Sequence, residues 1–133
     1  MKIVTEGFQV STKSRNQMID ITSKVRSLIV QSGISNGDAI IYCSHTTAAI
    51  TINENADPDV PRDILKELDK VVPLNDNYSH REGNSAAHIK ASLVGASETI
   101  LIEKGRLVLG TWQSVFFCEF DGPRTRKTYV TIV

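Results

Sequence analysis

From Glu98 onward the chain is almost unbroken strand-forming sequence. ETILIE, LVLGTWQSVFFCEF and TRKTYVTIV are rich in β-branched and aromatic residues, and only the short, turn-like breaks KGR and DGPR separate them. Breaks this short leave no room for a crossover helix, so the pattern predicts two consecutive hairpins and antiparallel pairing. Upstream, Lys2 to Val10 alternates loosely as a strand, the polar turn KSRNQ leads into a short strand MIDI, and AIIYC and TAAITI read as buried strands. Three segments carry helical spacing. Thr22 is placed to cap one with Val25, Leu28 and Ile29 on its inner face and Gly33 as its stop. Asp57 and Pro58 open a second, with Val60, Ile64, Leu65, Leu68 and Val71 along one side and Pro73 at its end. Asn84 is placed to cap a third, running through Ala86, Ala87, Ile89, Ala91 and Leu93 to Gly95. Three helices are too few to cross over every strand pair. The expected fold is therefore α+β, a mostly antiparallel β-sandwich with about three helices, in place of a doubly wound parallel sheet.

At 133 residues the chain is sized for a single domain over 1–133. Its 15 basic and 15 acidic residues cancel, so no global field draws nucleic acid or anionic lipid, and neither is expected as a partner. No apolar run approaches the ~20 residues of a membrane span, and MKIVTEGFQV lacks the apolar core of a signal peptide, so the expected location is cytoplasmic. Cys43 and Cys118 both sit inside apolar runs, where a thiol behaves as a small hydrophobe. They are expected to be free and buried.

Polar residues that can do chemistry gather in three places. His45 interrupts two apolar strands, as either a hydrogen-bonded core histidine or a group presented at a strand end. His80 lies in the polar stretch NDNYSHREGN with Glu82, and His88 follows in the third helix, where Asn84 and His88 can share a face. Neutral imidazole is the commonest metal ligand, and three histidines with an open fourth position suit a divalent metal. Zinc or another transition metal fits nitrogen donors, whereas magnesium is a hard ion that favours oxygen ligands. No HExxH or CxxC spacing supports this, so convergence in space is required. The second gathering is Asn53, Glu54, Asn55, Asp57 and Asp59. Helix capping explains the two aspartates but not Glu54, which is a candidate general base or partner of a histidine. The third is TWQ and DGPRTR. Trp112 reads as mid-strand and core-packed, with Gln113 on the opposite face. Arg124 and Arg126, two apart, share one strand face and suit phosphate or carboxylate.

The blocks HTTAAITINENADPDVPRD, YSHREGNSAAHIKASLVG and GRLVLGTWQSVFFCEFDGPRTR, in this order and over nearly the whole chain, resemble the YjbQ-like family, also called secondary thiamine-phosphate synthase. The resemblance implies a small α+β unit with a β-sandwich that assembles as a homotrimer. It matches the family's histidines, regarded as a metal site, to His45, His80 and His88, and its DGPR arginine to Arg124. The implied activity joins a hydroxymethylpyrimidine diphosphate to a thiazole phosphate, releasing pyrophosphate, and is secondary in the family. On that scheme Arg124 and Arg126 meet the leaving diphosphate, Trp112 stacks on a ring, and Glu54 or Glu82 positions a proton or water. Asn53, Asn84 and Gln113 complete the substrate contacts. A metal-dependent hydrolase of a phosphorylated small molecule and a non-catalytic metal- or metabolite-binding trimer are the alternatives.

Overall fold

A computed structural model describes residues 4–133; Lys2 and Ile3, the start of the expected first strand, lie outside the described residues. Eight strands and three helices follow in the order β1 (Val4–Ser11), β2 (Gln17–Asp20), α1 (Thr22–Ser32), β3 (Gly37–Cys43), β4 (Ala48–Glu54), α2 (Asp59–Val71), α3 (Ser85–Val94), β5 (Ser97–Glu103), β6 (Arg106–Leu107), β7 (Gln113–Glu119) and β8 (Thr125–Ile132). They form a five-stranded sheet, β1-β8-β3-β5-β6, and a three-stranded sheet, β2-β7-β4, with every pairing antiparallel. The α+β expectation holds. Among the described residues no helix is long and apolar enough to cross a membrane.

Two apolar cores divide the molecule into three layers. Between the sheets, Ile41, Val130 and Ile132 of the larger sheet meet Ile50, Val115 and Phe117 of the smaller one, and Val25 and Ile29 of α1 close the end. On the other side of the smaller sheet, Ala49, Phe116, Cys118 and Phe120 are covered by Ala87 and Ala91 of α3, with Leu65 and Leu68 of α2 packed against them. Strand β7 is therefore buried on both faces, each of Phe116 and Phe117 contributing about 1.5–3 kcal/mol of burial. Continuous apolarity in SVFFCEF suggests cover from another subunit, but helices of the same chain supply it. Cys43 and Cys118 are free and buried, and burial pushes the Cys118 thiol up to about 12 with Cys43 adding to it. Cys43 is raised by burial as well, so neither is poised as a nucleophile at neutral pH.

Turn chemistry holds in part. KGR makes the first hairpin, with Glu103 opposite Arg106 and Gly105 at φ 74. The second hairpin does not form: β7 pairs with β2 and β4, whereas β8 pairs with β1 and β3, so DGPR carries the chain from one sheet to the other. LVLGTWQSVFFCEF is likewise two strands, broken over residues 108–112 where the chain also changes sheet. At α1 the cap position is Ile21, one residue before Thr22, and has no side-chain cap bond; Asp20 Oδ1, just ahead of it, accepts the Thr22 N–H at 2.9 Å, while the Thr22 hydroxyl accepts the Val115 N–H. Gly33 ends the helix at φ 70, as its position predicts.

Candidate functional site

Three sheet-to-sheet crossovers lie side by side at one end of the sandwich. The β1–β2 connection spans residues 12–16, the β3–β4 connection 44–47, and the β7–β8 connection 120–124. Backbone bonds stitch them together: Thr12 N–H to Arg124 O at 2.9 Å, Gly122 N–H to Arg15 O at 3.1 Å, and Phe120 N–H to Thr47 O at 3.1 Å. Loops with this much mutual bonding behave as a fixed platform.

Beneath the platform is a buried polar knot. Glu119, fully buried at the end of β7, accepts from Arg126 Nε at 2.8 Å, from Arg126 Nη2, from the Thr12 hydroxyl at 2.8 Å and from the Asp121 N–H at 3.0 Å. Arg126, itself only 3% exposed, also donates to the Thr47 hydroxyl at 2.8 Å. Burial alone would raise the Glu119 carboxyl, but the bonds from Arg126, Asp121 and Thr12 outweigh it and hold it below the usual range. Arg124 and Arg126 are therefore not an equivalent pair. Arg126 is committed to Glu119. Arg124, half-exposed, is held by Asp121 through its carboxylate at 3.1 Å and its carbonyl at 3.0 Å.

Above the platform opens a polar cleft of about 840 Å³ whose walls include His45, His80, His88, Glu82, Asn84, Arg15, Arg124 and Arg126. His80 and His88 meet edge to face with centroids 5.5 Å apart, and His80 lies 3.9 Å from the Glu82 carboxylate. His45 sits in the β3–β4 crossover, where its Nε2 accepts the Lys127 N–H at 2.9 Å. Burial, then the Arg126 charge, lowers its pKa, so the ring is neutral near pH 7 with its hydrogen on Nδ1. Of the two readings of His45, strand-end presentation holds: the ring is hydrogen-bonded but only partly buried, so it is not a core histidine. In this arrangement His45 turns no free lone pair toward a metal. Among the described residues no group of three or more His, Cys, Asp or Glu has a metal-holding arrangement, although the three imidazoles do share the cleft. Asn84 stands at the N-terminus of α3 without capping it. Its Nδ2 donates to Asp121 at 3.0 Å, and its buried Oδ1 finds no partner within the protein.

The remaining candidates lie elsewhere. Glu54 pairs with Gln113 and Asn53 with Ser114 at the far end of the β4–β7 ladder, seven residues or about 23 Å along the strand from Thr47. Trp112 is in the turn before β7 and 63% exposed, so the core-packing expectation fails. None of these four lines the cleft, and within one chain they cannot meet the same small ligand as Arg124. Gln113 instead accepts the Gly110 N–H at 2.8 Å, and Asn53 accepts the Glu54 N–H at 2.7 Å. Sequence reasoning missed Arg15, read only as part of a polar turn, and Glu119. Glu119 had a legible signal, an acid inside the apolar run VFFCEF, since a charge there is buried only with a partner.

Comparison with known proteins agrees with the fold. The pattern described as UPF0047 protein YjbQ-like matches residues 6–133. UPF0047 protein YugU of Bacillus subtilis is 55% identical over 126 residues, covering 94% of this chain and 96% of that protein. UPF0047 protein MJ1081 of Methanocaldococcus jannaschii is 54% identical over 126 residues, covering 95% and 91%. A crystal structure of an uncharacterized YjbQ/UPF0047 protein from Clostridium acetobutylicum superposes with a TM-score of 0.95 at 57% identity, over 96% of this chain and 99% of that one. A YbjQ-like protein of unknown function from Sulfolobus solfataricus gives 0.95 at 35% identity, over 98% and 96%. The chain belongs to the YjbQ-like UPF0047 family.

Proposed function

We propose that the cleft binds a phosphorylated small molecule and supports release of pyrophosphate in the joining of a hydroxymethylpyrimidine diphosphate to a thiazole phosphate. The observation that carries this reading is the convergence of Arg15 and Arg124 with three imidazoles on one open, largely polar cleft. The Arg15 guanidinium has no ion-pair partner among the described residues, and Arg124 presents its exposed fork at the rim. Two such forks suit a diphosphate, and the positive end of α3, whose first turn contributes Asn84 and His88, adds to the attraction. The neutral His45 offers Nδ1–H to a phosphate oxygen, while His80 or His88 hands a proton to the departing diphosphate. Glu82, 3.9 Å from His80, positions the proton, the role the sequence offers to Glu54 or Glu82. Glu54 and Trp112 have no part in this scheme within one chain.

The test is formation of thiamine phosphate from the two purified half-molecules by wild type, His88→Ala and Arg124→Ala prepared side by side. Wild type is expected to turn over, with each variant reduced by roughly a hundredfold or more. Equal product in all three would assign the activity to a contaminant and sink the reading. Pyrophosphate release without the thiazole partner would point to a hydrolase. Running the series with a chelator and with added zinc tests the metal expected from the three histidines.

The homotrimer is proposed alongside. Its support is the outer face of the five-stranded sheet, where Ile40, Tyr42 and Leu101 are exposed on adjacent strands β3 and β5. Sedimentation velocity is expected to give three chains' mass, and a monomer at micromolar concentration would remove it.

A further inference from the structure

Behind Asn84 and Asp121 a second hollow of about 300 Å³ adjoins the cleft, sharing Arg15, Asn84 and Asp121 as a common wall. Its character differs. Pro73, Leu74, Ala86, Ala87 and Phe120 give it apolar sides, whereas the cleft in front is mostly polar. At its polar end is Lys90, a helical lysine 4% exposed, where a lysine is almost never found unless paired. Its Nζ donates to Asp69 Oδ1, lies 3.5 Å from Asn16 Oδ1, and sits 5.9 Å from the centre of the Phe120 ring. An ammonium has three N–H bonds and two acceptors are supplied here, so one donor is left for the hollow. Asp69 uses Oδ1 for Lys90, and for Asn16 at 3.4 Å, which leaves Oδ2 as an acceptor beside that donor.

Resting on the reading of the cleft as a phosphate site, we infer that the hollow receives the organic end of the same phosphorylated ligand, and that Lys90 and Asp69 select it. The group it takes is compact and flat, with an N–H next to a hydrogen-bond acceptor, as in an aminoheteroaryl ring or a carboxamide. The apolar walls take the ring faces, Lys90 Nζ donates to the ring nitrogen or carbonyl, and Asp69 Oδ2 accepts the amino hydrogen. The phosphate end then projects past Asn84 and Asp121 toward Arg15 and Arg124. A purely structural lysine anchor would hold α3 to α2 equally well but would not discriminate among ligands.

Three probes separate these roles in titration calorimetry: inorganic phosphate, benzyl phosphate and (2-aminopyridin-3-yl)methyl phosphate. Wild type is expected to bind the aminopyridine roughly tenfold or more tighter than phosphate, with benzyl phosphate between them. Leu74→Trp narrows the mouth of the hollow at a side chain that is 42% exposed and outside both cores, so the fold is retained. In that variant the ratio of aminopyridine to phosphate affinity is expected to fall to about twofold or less. A ratio near one in wild type, with phosphate still bound, overturns the inference and leaves the phosphate site standing. A ratio unchanged by Leu74→Trp places the ring elsewhere and also overturns it. Failure of every probe to bind overturns the phosphate reading and this inference together.

Discussion

Glu119→Ala is expected to lower folding stability by about 3–5 kcal/mol, read as a fall in the urea midpoint with an unchanged slope. Removing this carboxylate leaves the buried Arg126 guanidinium with only Thr47 as partner, and strips the Thr12 hydroxyl and the Asp121 N–H of their acceptor. The cost is dominated by the orphaned charge, so deleting both charges should cost far less than deleting one. Glu119→Leu combined with Arg126→Met is expected to recover most of the loss, and a double variant as unstable as the single would refute the pairing account. The acid limb follows from the same carboxyl. Its folded pKa lies below its ordinary value, so its stabilisation is complete above about pH 4.5 and is lost as pH falls through the depressed value. The Glu119→Ala protein should lack that part of the acid dependence.

How far the fold was legible depended on whether a signal was local. Gly33, Pro73 and the KGR turn fix chain direction through their own φ values or missing donors, and each does what its residue type predicts. The DGPR turn has equally good turn composition, yet a turn's residues do not say which sheet the outgoing strand joins. That choice was made by long-range packing: Phe117 faces the inter-sheet core while Phe116 and Cys118 face the helices, so β7 belongs in the middle of its own sheet. Trp112 was misjudged for a related reason. Reading LVLGTWQSVFF as one strand buries it, whereas the break at Gly110 puts it in an exposed turn.

The candidate site was legible in the half that lines the cleft. His45, His80, Glu82, Asn84, His88, Arg124 and Arg126 come together on one cleft, although their positions in sequence run from 45 to 126. Short polar motifs in loops between apolar strands must surface at strand ends, and in a sandwich only two ends exist. Sequence could not say which end, and Asn53, Glu54, Trp112 and Gln113 went to the other one. The supporting half was hidden in plain residues. Arg15 reads as turn filler and Lys90 as a solvated helix charge, until tertiary packing buries Lys90 beside Asp69 and brings Arg15 to the cleft rim.

Gly122→Ala is expected to damage both fold and site, because the β1–β2 and β7–β8 crossovers are in close contact at this residue. A Cβ there would lie 2.3 Å from the Ser14 carbonyl oxygen, 2.8 Å from Glu119 Cγ and 2.9 Å from the Thr12 hydroxyl. The first is backbone and the other two belong to the buried knot, so none can swing aside like a flexible surface chain. The β7–β8 crossover must lift instead, which stretches the Gly122 N–H bond to Arg15 O and carries Asp121 and Arg124 with it. Overpacking of this kind costs about 3 kcal/mol, the upper part of its usual range. The functional effect should exceed that of the stability loss alone. If the cleft binds a diphosphate as proposed, Arg124 displaced by an ångström would no longer meet a phosphate held by Arg15, and positioning errors of that size cost up to about a hundredfold. Pyrophosphate affinity measured well below the unfolding temperature, with circular dichroism showing a folded protein, separates the two effects. A folded Gly122→Ala protein that binds pyrophosphate as wild type does would show that the platform is compliant and that Arg124 does not depend on it.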